Sequence, residues 1–242
     1  MKFSIIIEAR VGSTRLPNKI LYKIKRNNFL EFLIKRLKSS KKIHQIIVAT
    51  TNNPNDEKIV KIAKKNKVKS YRGPEHNVQK RVIDAGKKFG CESIIRITSD
   101  CPLSDPVLID QAAEIFELNK CDYLSNIHKV RTYPDGMDIE IFSLRSLIKS
   151  AKLIKVYQKK QWTTCGLREN PKKFKHLVLV APKDLKWPEL HLTLDEYDDY
   201  KFLKKIILHF KEKYFFSCLD IVNLLKKKKQ WLKINNRVKR NY

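Results

Sequence analysis

The apolar positions of this chain fall into two alternating rhythms. Phe3, Ile5, Ile6 and Ile7 make a short, nearly continuous apolar run bounded by polar residues, which predicts a buried strand. The same pattern returns at residues 44–50, 93–97 and 176–180. Between the first two runs, residues 29–37 carry apolar side chains at helical spacing, and residues 55–65 set Ile59, Ile62 and Ala63 on one helical face. Alternating strands and helices predict an α/β fold with a mainly parallel sheet. Such sheets bind ligands at the carboxyl ends of their strands, so the segments that follow each strand are where chemistry is expected.

Composition narrows the picture. Hydrophobic residues make up 42% of the 242 positions and aromatics 10%, enough to exclude a disordered chain, and 6 Gly with 9 Pro exclude a collagen-like one. No apolar run reaches the roughly 20 residues that cross a bilayer, and Glu8 and Arg10 interrupt the start before a signal-peptide core can form. A soluble, cytoplasmic protein with no membrane partner is expected. Cys91, Cys101, Cys121, Cys165 and Cys218 lie far apart with no CxxC pair, against a disulfide framework or structural zinc.

Lys+Arg number 52 against 25 Asp+Glu, a net charge of +27. The lysines are spread in pairs such as Lys41-Lys42, Lys64-Lys65 and Lys87-Lys88 and are densest from Lys226 to Arg240. No zinc-finger spacing or RNP-like pattern accompanies them, so solvated helix faces explain them better than nucleic acid does. Their field would still draw a small polyanion such as a nucleoside triphosphate. With no internal repeat and no linker, one domain over 1–242 is expected, its basic C-terminal extension beginning at about 224.

The segment after the first strand, Glu8-Ala9-Arg10-Val11-Gly12-Ser13-Thr14-Arg15-Leu16-Pro17-Asn18-Lys19, alternates three cations with Gly12, Ser13 and Thr14. Backbone N–H groups, Arg10, Arg15 and Lys19 can converge there on one anion, which suits a triphosphate. Neither GxxxxGK[ST] nor GxGxxG is present, and a solvated basic loop is the plain alternative. Asp100 ends one strand and Asp195 another, which would bring two carboxylates to the same edge of the sheet to hold Mg²⁺ beside a triphosphate. Helix N-capping is the alternative for each. For Asp195, followed by Asp198 and Asp199 at the start of an apolar-periodic helix, both roles can coexist. Asp135, Asp138 and Glu140 follow Tyr133-Pro134; Asp138 and Glu140 alternate onto one face of a strand and could bind sugar hydroxyls, with an exposed edge strand as the alternative. His128, His176 and His191 lie apart with no Ser or Cys in triad order, so nucleophilic catalysis is unsupported.

Taken together these motifs resemble the cytidylyltransferase family that includes acylneuraminate and Kdo cytidylyltransferases, most nearly its SpsF-type branch. The resemblance is carried by residues 5–19, by Val48-Ala49-Thr50-Thr51, and by Arg72-Gly73-Pro74-Glu75 with Asn77, Val78 and Arg81. Arg96-Ile97-Thr98-Ser99-Asp100-Cys101-Pro102-Leu103, Tyr133-Pro134-Asp135-Gly136-Met137-Asp138-Ile139-Glu140 and residues 192–199 follow in order. It implies a Rossmann-like, three-layer nucleotide-diphospho-sugar transferase fold, a homodimer, and transfer of CMP from CTP to an acceptor with release of pyrophosphate. It also implies roles for residues. Ala9, Arg10, Gly12, Ser13, Arg15 and Lys19 would bind the nucleotide at its phosphate end, and Ala49, Thr50, Gly73, Asn77, Val78 and Arg81 would line the cytidine pocket. Asp100 and Asp195 would hold Mg²⁺ and, with Arg10 and Lys19, carry the catalysis. Tyr133, Asp135, Gly136, Asp138 and Glu140 would face the acceptor.

Two departures stand out against the family pattern. Glu8 stands where the branch usually has Gln, which puts an acid near the nucleotide site. Gln161 and Trp162 replace the acid and imidazole of the family's Arg-Glu-His-Val-Thr stretch, which alters the acceptor pocket. The expectation is a Mg²⁺-dependent enzyme that activates an acidic sugar, such as a nonulosonate or a Kdo-like acid, for surface polysaccharide synthesis. The alternatives are the same chemistry on a phosphonate or phosphate acceptor, or a non-catalytic nucleotide- or nucleic-acid-binding protein on the same fold.

Overall fold

A computed structural model of the chain describes residues 1–127 and 130–238. His128 and the end of the basic tail, residues 239–242, lie outside the described residues. The sheet has seven strands in the order β3-β2-β1-β4-β6-β5-β7. They are β1 (Phe3–Glu8), β2 (Ile43–Thr51), β3 (Lys69–Gly73), β4 (Ser93–Thr98), β5 (Tyr123–Ser125), β6 (Glu140–Ser143) and β7 (His176–Val178). All are parallel except β6, which runs against both of its neighbours. The expected strand at 176–180 is shorter than the sequence suggested. β3, β5 and β6 lack a long apolar run and gave little signal.

Strand β1 lies inside the sheet, third of seven, because four of its six residues are apolar, and only a strand covered on both faces can bury such a run. Ile5 pairs with Ile46 on β2 and Ile95 on β4, and Ile7 with Val48 and Ile97. Alternation then splits the core in two. Phe3, Ile5 and Ile7 pack with α1 (Phe29–Leu37), α4 (Pro106–Asn119), α7 (Tyr197–His209) and α8 (Cys218–Lys227), while Ile6, Ile47 and Ile94 pack with α3 (Val78–Lys88) and α5 (Leu144–Ala151). The result is the three-layer, Rossmann-like α/β fold of the expectation. The two expected helices are present as α1 and α2 (Glu57–Lys65), with a capping box between Asn28 and Glu31 opening α1.

The fully buried Arg36 of α1 ties distant segments together. It donates to the carbonyls of Leu103, Ser104, Tyr214 and Phe216 at 2.9–3.3 Å and lies 4.2 Å from the Phe216 ring centre. Burial pulls its guanidinium down to about 10, still protonated at neutral pH. Part of the basic tail belongs to this body, since Trp231, Leu232 and Ile234 pack on the larger core and Asn235 donates to Asp199 at 2.9 Å.

Candidate active site

The loop leaving β1 folds back over the carboxyl edge of the sheet. Val11 N–H donates to Asp56 at 2.9 Å, Asn18 N–H returns to the Val11 carbonyl at 3.0 Å, and Asn18 takes a left-handed conformation that turns the chain into the short helix Lys19–Leu21. The path lines a cavity of 380 Å³ with Ala9, Arg10, Ser13, Arg15 and Lys19, and Val78 and Arg81 of α3 close its far side. Arg81 is almost fully buried and donates to the Pro74 carbonyl at 2.8 Å, yet its Nε has no partner among the described residues. Such a donor suits an anionic or carbonyl ligand.

At the floor, the ammonium of Lys19 lies 3.3 Å from Asp100 and 3.0 Å from Asp195, and Arg15 bridges to Asp195 at 2.8 Å. Burial alone would depress the Lys19 ammonium; the two carboxylates overcome it and hold it above its ordinary value. Burial would likewise raise Asp100, but Lys19 and the hydrogen bond from Thr98 keep it below the usual carboxylate range. Neither acid is a helix cap. Asp105 caps α4, and Asp199 accepts from the N–H groups of Asp195 and Glu196 at the start of α7.

One expectation is corrected in detail. Asp195 does not end a strand: residues 192–195 lie outside the sheet and reach the site because Leu192 N–H donates to the Asp135 carbonyl and Leu194 N–H to the Asp100 carbonyl, each at 2.8 Å. Asp100 itself lies two residues past β4.

A second recess of 450 Å³ opens beyond this pair and shares Arg15, Thr98, Asp100, Trp162 and Asp195 with the first. Arg131 pairs with Asp135 at 3.2 Å and Asp138 at 2.6 Å along its wall. Asp138 keeps 24% of its side chain open to the recess, but burial, reinforced by Asp135 and Glu140 and opposed by Arg131, pushes it up to about 6. Asp138 precedes β6 and only Glu140 lies in it. The Glu140 carboxylate does not point to a ligand alone, because Arg96, Thr164 and Tyr123 all donate to it. Burial would raise Glu140, yet these donors hold it low.

Several expected residues stand behind the walls instead of on them. Ala49 and Thr50 are wholly buried in β2, Asn77 caps α3, and Gly73 packs under Arg81 and Tyr71. Gly12 borders Glu75, Tyr133 is buried, and Gly136 supports the backbone of Leu192. Gln161, expected at the acceptor, lines the first cavity and not the recess, whereas Trp162 lines both. Glu8 also borders the first cavity, though its carboxylate is engaged by Arg96 and Thr163 and does not stand free for a base. Sequence reasoning gave no role to Arg96 or Arg131. The signal for Arg96 was available: a charge between Ile95 and Ile97 in a buried strand must find a partner.

Two carboxylates close enough to share one ammonium, beside a basic cavity, are a donor set a hard divalent cation accepts alongside phosphate oxygens. Among the described residues, no group of three or more acid, histidine or cysteine side chains gathers to hold a metal without such help. Nor is any helix among them long and apolar enough to cross a membrane.

Comparison with known proteins gives the same direction. The solved cytidylyltransferase of Leptospira borgpetersenii serovar Hardjo-bovis superposes with a TM-score of 0.92 at 34% identity, covering 100% of each chain. The spore coat polysaccharide biosynthesis protein SpsF of Bacillus subtilis is 28% identical over 225 residues, 91% of this chain and 92% of that protein. A CMP:2-keto-3-deoxy-manno-octonic acid synthetase solved with CTP shares the fold at a TM-score of 0.66 and 14% identity, covering 86% of this chain and 99% of that one. The family model described as cytidylyltransferase matches residues 4–234, and the chain therefore belongs to the cytidylyltransferase family as an SpsF-type nucleotidyltransferase.

Proposed function

We propose that this enzyme transfers CMP from CTP to a hydroxylated sugar acid and releases pyrophosphate, supplying an activated sugar for surface polysaccharide. The observation that carries the reading is the Asp100–Lys19–Asp195 cluster where the two cavities meet. A nucleotide in the first would lay its phosphates along Arg10, Ser13, Arg15 and Lys19, and an acceptor in the second would approach from the opposite side. The acceptor oxygen attacks the α-phosphorus, its proton passing to solvent, as the bond from the α-phosphorus to the bridging oxygen breaks and that oxygen leaves with the pyrophosphate. Catalysis of this kind is largely positioning and charge neutralisation.

Asp100 and Asp195 would hold the Mg²⁺, which when bound neutralises charge on the phosphates. Arg15 and Lys19, now engaged by these acids, would turn to the leaving pyrophosphate. The carboxylates of Asp135 and Asp138 favour an acceptor rich in hydroxyl groups over a phosphonate or phosphate dianion, and Arg131 between them supplies a cation for a sugar carboxylate. A cytoplasmic homodimer with one catalytic domain over 1–242 completes the proposal.

Thermal shift with CTP, UTP, GTP and ATP, each with Mg²⁺, tests the nucleotide half, because a ligand of the folded state alone raises its stability. A shift for CTP well above the others supports the reading. Equal shifts that vanish in moderate salt would reduce it to charge attraction.

A further inference from the structure

Arg96 interrupts an apolar strand, and its surroundings are unusually complete. Its Nε and Nη2 donate to the two carboxylate oxygens of Glu8 at 2.8 Å each, and Nη1 donates to Glu140 at 2.5 Å. The two carboxylates hold the guanidinium well above its ordinary value despite the opposing effect of burial. One cation between two acids leaves a net negative charge in the interior, which needs further donors. Consecutive threonines supply them: Thr163 Oγ1 donates to Glu8 at 2.5 Å, and Thr164 Oγ1 donates to Glu140 at 2.6 Å. The Thr163 carbonyl in turn accepts from Gln79 at 3.0 Å.

The segment is thus fastened at two adjacent residues to opposite ends of one buried ion triad. The residue immediately before it is Trp162. It is half-exposed, its N–H donates to the Lys159 carbonyl at 3.1 Å and its carbonyl accepts from Cys165 N–H at 3.1 Å, and it borders both the nucleotide cavity and the acceptor recess. A half-exposed indole keeps several rotamers, and the course of its backbone decides which cleft each of them faces.

We propose that Glu8, Arg96 and Glu140 are positioning residues that, through Thr163 and Thr164, fix Trp162 as the partition between the two clefts. The inference rests on the cytidylyltransferase reading for what occupies them. It also gives Glu8 a purpose other than reading the base. Trp162 is the aromatic residue of the recess that the Asp135 and Asp138 carboxylates also line, and a sugar ring can set its C–H face on the indole while its hydroxyls meet the acids.

The test uses the full chain with Trp187→Phe and Trp231→Phe, so that emission reports Trp162 alone, and CTP with Mg²⁺ as the probe. In this background CTP lowers acrylamide quenching of Trp162. Thr163→Val with Thr164→Val raises quenching of the free protein about twofold and removes the protection by CTP, as expected for a locally released loop. Thr163→Ser with Thr164→Ser, which keeps both hydroxyls, restores the protection, and Glu8→Gln falls between. The CTP dissociation constant measured by calorimetry changes less than about threefold, a difference well under 1.4 kcal/mol. Quenching in the valine variant equal to the parent overturns the proposal. So does a serine variant that behaves like the valine one, or a valine variant that loses CTP affinity and melting temperature together, which would make the triad a structural staple. Failure of the parent protein to bind CTP by calorimetry is a separate result and defeats the nucleotide reading itself.

Discussion

The ammonium of Lys19 lies 3.0 Å from the Asp195 carboxylate, and the same nitrogen reaches Asp100 at 3.3 Å. Residues 176 positions apart are thereby joined at the carboxyl edge of the sheet. With only 13% of its side chain exposed, this lysine, together with Arg15 on Asp195, neutralises two acids that would otherwise repel each other. Because its ammonium is held above the ordinary value, its contribution to stability is full below the ordinary lysine range and is lost only as pH rises through the folded value.

Lys19→Met is therefore expected to lower stability at pH 7 by about 1–3 kcal/mol, the cost of leaving partly buried charges uncompensated. Millimolar Mg²⁺ should recover more stability in the variant than in the parent, because it replaces the missing cation. Melting curves with and without Mg²⁺ decide this, and an equal Mg²⁺ effect in both proteins would count against two acids sharing one cation site.

Asp56 holds the phosphate loop from behind. It accepts from Val11 N–H at 2.9 Å and from the Thr51 N–H at 3.2 Å, and the Thr51 hydroxyl donates to it as well. Asp56→Ala leaves those buried donors unsatisfied, at a cost of about 1–3 kcal/mol. Calorimetry should show CTP affinity reduced by about tenfold, since a loop out of register no longer presents its cations together. Unchanged affinity would mean that the loop holds its shape without this anchor.

At Gly136 the backbone has φ near 94°, and an added Cβ would lie 2.8 Å from both the carbonyl carbon and the oxygen of Leu192. Gly136→Ala is expected to cost about 2 kcal/mol or more through strain and collision. The displaced segment leads to Leu194 and Asp195, so turnover should fall more than nucleotide affinity does. Denaturation midpoints paired with steady-state rates separate the two effects. A fully active variant would show that the contact at Leu192 does not set the position of Asp195.

Asp138 gives a pH signature. Its folded value of about 6 exceeds the usual carboxylate value because burial disfavours the charge, so its favourable contribution is complete below about pH 4 and disappears as pH rises through 6. Asp138→Asn should leave stability near that of the parent at pH 4.5 and raise it by about 1–2 kcal/mol at pH 7.5. Urea midpoints at the two pH values measure this. Lower stability of the variant at pH 7.5 would show that the ion pair with Arg131 outweighs burial.

Much of this arrangement is legible in the sequence. The apolar run at Phe3, Ile5, Ile6 and Ile7 and the matching runs on β2 and β4 are enough to place the centre of the sheet, because only a doubly covered strand is so uniformly apolar. The cations of the first loop were equally visible, as was the pairing of Asp100 with Asp195. β3 was not, since Lys69, Ser70, Tyr71 and Arg72 form a partly exposed strand without an apolar signature. The route of Asp195 escaped for another reason: residues 192–195 reach the site through single hydrogen bonds to Asp135 and Asp100, which no periodicity records. From the sequence Glu140 is expected to face the acceptor and Glu8 to put an acid near the nucleotide site, because an acid beside a cleft looks available. Their engagement by Arg96 is a tertiary pairing between residues far apart in sequence, and only the composition of β4 hinted at it.

The most direct test of the account follows the α-phosphate. Purified protein is incubated with CTP labelled at the α-phosphorus, Mg²⁺ and a panel of sugar acids, and the label and the pyrophosphate are measured together. One acid is expected to take up the label as its CMP conjugate with one pyrophosphate released per transfer, and Asp100→Ala is expected to abolish both while the variant remains folded. Transfer that continues undiminished in Asp100→Ala, or CTP turnover that releases no pyrophosphate, would contradict the proposed reaction.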